Sequence, residues 1–150
     1  MASRLLLFSV FLVSAARTQT APPVTLAVHL LVACSTPGAG QPVRLPGLNA
    51  SLCLDRAPFL TQKDVVSAEM RNNSQGRPLV FLTFHEDAAI RELDVTRKNV
   101  GNRVGIVVNG RIISAPQVSS SSRLLYIDGH YTEKQAQALV AAFNKMAGVK

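Results

Sequence analysis

The tightest group of titratable side chains in the sequence is His85-Glu86-Asp87. Such a trio could hold a metal ion or relay a proton. It reads equally as the opening turn of a helix, with its acids set against the positive end of the helix dipole. The spacing favours the helix, because His29 and His130 lie far away in sequence and complete no ligand pattern. Cys34 with His29 resembles a thiol and its base, but the two share one alternating apolar run. Ser114 sits in no Gly-x-Ser-x-Gly elbow, and Gly38-Ala39-Gly40 lacks the third glycine and following helix of a dinucleotide loop. Asn49-Ala50-Ser51 and Asn72-Asn73-Ser74 are glycosylation acceptors only in a eukaryotic secretory route. The residues point to a protein with no catalytic group, metal or cofactor. The competing reading is a small secreted hydrolase or metal-dependent enzyme centred on His85 or Cys34.

The elements that would position these residues begin with an export signal. Met1 to Arg4 is short and positive, Leu5 to Val13 is apolar, and Ser14-Ala15-Ala16 supplies small residues for cleavage after Ala16. The apolar run is too short to span a bilayer, so 1–16 reads as a signal peptide and 17–150 as one exported domain, with its core at about 25–147. With 150 residues and 47% apolar content the chain can bury a sizeable core. The formal charge of +7 is scattered, and its densest cluster, Arg97, Lys98, Arg103 and Arg111, has no interleaved aromatics. Nucleic acid is therefore not the expected partner.

Cys34 and Cys53 suit an oxidising compartment, where an even count favours a bridge worth about 3 kcal/mol. Two small buried thiols are the alternative. A third reading takes Leu31-Val32-Ala33-Cys34 as a lipoprotein box. Against it stand the complete upstream signal and the period-two alternation of Val24 to Leu30.

The architectural centre is the run from Thr96 to Pro116. Asn109-Gly110 between apolar runs predicts a two-residue hairpin, since both turn residues need φ > 0. That loop sets Val108 opposite Arg111, Val107 opposite Ile112 and Ile106 opposite Ile113, with Pro116 ending the ladder. Both faces of the hairpin are apolar, and the second is expected to lack internal cover. Around it, strands are predicted at Val24–Ala33, Ala50–Leu54, Val65–Arg71, Leu79–Phe84 and Arg123–Asp128. A helix is predicted from Glu86 to Val100 with Ala89, Ile90, Leu93, Thr96 and Val100 inward and Gly101 as the C′ stop. Thr132-Glu133-Lys134-Gln135 opens a second helix whose inner stripe is Ala136, Leu139, Val140, Phe143 and Met146. Together these predict an α+β fold, an antiparallel sheet with two main helices packed on one face.

From Leu52 to Met146 the ordered phrases resemble one family, the head subdomain of the first periplasmic domain of SecD. They are Leu60-Thr61 with Asp64-Val65, Leu82-Thr83-Phe84, Thr96 with Asn99-Val100-Gly101, Ile106-Val107-Val108 with Asn109-Gly110, Ser114-Ala115-Pro116, and Ile127 with Gly129, Tyr131, Thr132 and Ala136. The sequence departs from the family at Ala88, where glycine is usual, and at Glu92, where an aromatic is usual. Ser119 to Ser122 replaces a glycine-rich loop. The family's base subdomain and six membrane helices have no counterpart in this sequence. The resemblance implies a periplasmic module contacting emerging polypeptide or an envelope protein, without the proton-driven motor.

Overall fold

The computed structural model of the protein describes residues 22–48, 51–119 and 125–149. The signal-peptide reading, with cleavage at Ala16, lies outside them, as do Ser120 to Ser122 of the serine run. The described elements are β1 Leu26–Ala33, β2 Leu52–Leu54, β3 Leu60–Thr61, β4 Val65–Asn72, β5 Pro78–Phe84, α1 Glu86–Lys98, β6 Val104–Val108, β7 Arg111–Ser114, β8 Leu125–Ile127 and α2 Glu133–Ala147. Every pairing is antiparallel, and the class is α+β. The strands form two sheets rather than one: β2-β1-β6-β7 with β3 also on β1, and β4-β5-β8. Leu26, Val28 and Ile106 of the first sheet meet Val80, Leu82 and Ile127 of the second in the main core, sealed by Phe143 of α2. Each such side chain contributes roughly 1.5–3 kcal/mol of burial.

The turn at Asn109 (φ +50°) and Gly110 (φ +74°) pairs Val108 with Arg111 and Val107 with Ile112. One step further the expected register fails, because Ile106 lies opposite Ser114. A bulge makes Ile113 the extra residue, yet Ile106 and Ile113 both still pack on the main core. Pro116 does not end the contact either. Proline lacks a donor but keeps its acceptor, and its carbonyl takes the Val104 N–H at 3.0 Å.

The hairpin's second face is not bare. Val43, Leu45 and Leu48 cover Leu31, Leu54, Val107, Ile112 and Ala115. A disulfide between Cys34 and Cys53, with Cα atoms 4.9 Å apart, ties the end of β1 to β2 and closes this covering segment. Lipid attachment would need the Cys34 sulfur that sits in the bridge, and β1 is a paired strand rather than a signal core.

The inner face of α1 also differs from the expected stripe. Ala88, Glu92 and Thr96, four residues apart, point inward, whereas Ile90 and Val100 are 57% and 58% exposed. The helix ends two residues early, where the Asn99 amide caps it by donating to the Val95 carbonyl at 2.8 Å. Gly101 (φ +87°) then stands one position beyond C′. On α2 the capping box is made: Gln135 N–H donates to Thr132 Oγ1 at 3.3 Å, and Thr132 N–H to Gln135 Oε1 at 2.9 Å. The α2 stripe faces the core as the spacing predicts. Asn144 leaves that stripe to bond the main chain of Ala68 twice, accepting from its N–H at 2.7 Å and donating to its carbonyl at 3.0 Å.

Candidate functional site

Each sheet ends in a strand paired on one side, β7 in the first and β8 in the second. A groove of about 400 Å³ lies between them, lined by Leu45, Pro46, Ile113, Ser114, Ala115, Pro116, Tyr126, Asp128 and His130. Gly129 lets the two edges come this close. A Cβ at that position would fall 2.6 Å from Ile113 Cγ2 and into the Tyr131 ring. Ile113 also lines an adjoining groove of about 390 Å³ with Val24, Val108, Asn109, Tyr131 and Leu139. Two apolar channels therefore meet at the bulged residue.

The rim of the first groove is polar. Arg77 reaches His130 Nδ1 at 3.1 Å and Asp128 Oδ2 at 3.7 Å. His130 holds φ +52°, a left-handed conformation that histidine adopts more readily than most side chains, next to its N–H contact with Asp128 Oδ1 at 3.5 Å. Exposed pairs of this kind contribute roughly 0–1 kcal/mol, so they orient the rim more than they stabilise the fold. Tyr126 is exposed at the outer side, its ring 5.9 Å from Phe81, and Arg71 lies over Phe81 at 4.9 Å. Burial pushes the Tyr131 hydroxyl above its ordinary pKa.

Of the sequence-selected positions, Ser114 and Pro116 line the groove and Gly129 stands behind it. Thr132 begins α2 nearby in the chain. Thr96, Asn99 and Gly101 form a separate corner. There the Thr96 hydroxyl donates to the Glu92 carbonyl at 2.9 Å, and Gly101 N–H donates to Val118 O at 2.8 Å. Asn109 and Gly110 sit at the hairpin tip, where Asn109 Oδ1 accepts the Thr25 N–H at 3.0 Å. These positions hold elements together and are not gathered into one constellation.

His85 is exposed at the start of α1, its main-chain N–H bonded to Asp64 O at 2.9 Å, and it lines a different groove with Lys63 and Met146. Among the described residues no three His, Cys, Asp or Glu side chains gather as metal ligands. Cys34 has no thiol to act as a nucleophile, and His29 Nδ1 bonds Asp55 O at 2.7 Å instead. Sequence reasoning missed Tyr126, Asp128 and His130. The available signal was an aromatic at the outward position between Leu125 and Ile127 of an end strand.

Glu92 was missed as well. It is 4% exposed, and its Oε2 has no hydrogen-bond partner among the described residues. Burial pushes its carboxyl from 4.5 up to about 7.

The family model described as the SecDF P1 head subdomain matches residues 42–147, which takes in both groove-forming strands. The chain belongs to the SecDF P1 head subdomain family. The SecD translocase subunit of Acidaminococcus fermentans is 38% identical over 60 residues, covering 40% of this chain and 14% of that protein. The SecDF translocase subunit of Thermus thermophilus is 41% identical over 61 residues, covering 41% of this chain and 8% of that protein. This head therefore spans a small fraction of either relative. A solved SecDF structure, described as a membrane component that enhances protein export, superposes with a TM-score of 0.61 at 25% identity, covering 81% of this chain and 62% of that one. Another, SecDF in a super-membrane-facing form, gives 0.62 at 26% identity, covering 80% and 18%. Among the described residues of this SecD-like head no helix is long and apolar enough to cross a membrane.

Proposed function

We propose that this SecD-type head is a non-catalytic, polypeptide-binding accessory to protein translocation or envelope assembly, exported to the periplasm. An extended segment lies in the groove between β7 and β8. The edge of β7 supplies main-chain hydrogen bonds, and Ile113, Ala115 and Tyr126 supply apolar contact with little sequence preference. The observation that carries this reading is the meeting of two sheet edges along one apolar channel. Family membership adds support, since the relatives are translocase subunits. The recognition surface is the strand edge, because the broad second face of the hairpin is already covered.

A photo-crosslinking residue placed at Tyr126 tests this, with one at Val66, an exposed position on β4, as control. The partner is a reduced, alkylated exported protein that stays unfolded. Adducts from the Tyr126 position well above those from Val66 are expected. Equal labelling from both positions would remove the proposal.

A further inference from the structure

β2 is the short end strand of the first sheet. β1 pairs with β6 from Leu26 to Leu30 and with β3 at Ala27 and Val28. β2 adds three residues opposite Leu31 to Ala33. The covering segment, Ser35 to Leu48, folds back along β2 through three main-chain bonds: Gly40 N to Leu54 O, Leu54 N to Gln41 O and Val43 N to Leu52 O. So short a strand is marginal alone. Pro37, Gly38, Gly40, Pro42, Pro46 and Gly47 deny the covering segment any regular structure of its own. Its hold on the sheet comes from three apolar side chains, these few hydrogen bonds and one covalent tie.

That tie is lopsided. Cys53 is 4% exposed, whereas Cys34 is half-buried and lines an open cavity of about 670 Å³ beside Arg44 and Leu48. The cavity opens on Cys34, and an arginine at its wall suits an approaching thiolate. Beneath the strap, Leu54 and Leu31 occupy the notch left by Gly105, where a Cβ would lie 2.6 Å from Leu54 Cδ2.

We propose that the Cys34–Cys53 disulfide is a redox latch, and that its reduction through the cavity beside Cys34 lifts Ser35–Leu48 off the outer face of the first sheet and frees β2 from the end of β1. The thiolate of a dithiol reductant attacks Cys34 Sγ. The bond to Cys53 breaks, and Cys53 leaves as a thiolate that takes up a proton. The reductant's second thiolate then attacks its own mixed sulfur and releases Cys34, which is protonated in turn. The chain gains two electrons and two protons, and the dithiol becomes a disulfide. Lifting the strap opens the apolar face of Leu31, Val107, Ile112 and Ala115. This latch is independent of whether the β7–β8 groove binds polypeptide.

Amide hydrogen exchange on the whole chain, with and without dithiothreitol at one pH, tests it. Reduction is expected to speed exchange at Gly40, Val43 and Leu54 by ~100-fold while Val28 and Ile106 keep their rates. The double variant Cys34→Ser/Cys53→Ser is expected to show the same pattern without reductant. Unchanged protection at Gly40 and Leu54 in reduced protein would overturn the latch. Equal acceleration at Ile106 would also overturn it, by showing that the bridge holds the entire fold. Trapping with a single-cysteine reductant should place the mixed disulfide on Cys34, and finding it on Cys53 would refute entry through the cavity.

Discussion

Replacing Glu92 by glutamine should abolish a specific pH dependence of stability. The carboxyl lies inside the fold at 4% exposure, and the adjacent Arg91 pairs with Asp64 and Asp87 instead. With nothing to offset desolvation, its pKa rises from 4.5 in the open chain to about 7 in the folded one. Below pH 4.5 both states carry the proton, so the group contributes no penalty. Between pH 4.5 and 7 the folded state alone keeps the proton, and stability falls as pH rises by up to ~1.4 kcal/mol per unit. Above pH 7 the full penalty is present, about 3 kcal/mol for a shift from 4.5 to about 7. Urea unfolding from pH 4 to 8 reads this directly. The glutamine variant should match wild type near pH 4 and exceed it near pH 8 by up to ~3 kcal/mol, or about 10 °C in melting temperature. The difference between the two proteins cancels the other titrating groups, and parallel pH profiles would refute the reasoning.

Gly129→Ala should lower stability by about 1–3 kcal/mol in denaturant midpoints, because its Cβ meets Tyr131 and Ile113 where the two sheet edges touch. Asn144→Ala should cost about 1–3 kcal/mol, since both main-chain groups of Ala68 lose their partner. Light scattering should also show faster self-association of this variant through the uncovered β4 edge. Thr132→Ala removes half of the α2 capping box and should cost about 1 kcal/mol, with Thr132→Ser restoring most of it.

What could be read from the sequence was whatever depends on neighbours along the chain. Asn109-Gly110 dictates its own turn, Thr132 to Gln135 its own cap, and the α2 stripe follows from 3.6-residue spacing. The bulge at Ile113 was not legible, because Ile112 and Ile113 are both apolar and either could sit opposite Ile106. Part of the α1 face was misassigned by choosing the most apolar residues, although Thr96 is buried and Ala89 packs on the core as expected. Ile90 and Val100 attracted the stripe, while the real inner line of Ala88, Glu92 and Thr96 contains a carboxylate that no apolar pattern selects. Those first two positions are also where the sequence departs from the family wording, so the departures sit side by side on one packed surface. The groove depends on how two sheets meet, and Gly129, though singled out, gave no hint of which chains it brings together. The cover over Val107 and Ile112 comes from a proline- and glycine-rich segment whose composition says loop and whose position only the bridge reveals.

Asn144 gives this head a direction. By answering both main-chain groups of Ala68 with a single amide, it guards the β4 edge of the second sheet at that residue. A strand joining the second sheet at β4 would first have to displace that amide, so addition beside β8 is the easier course.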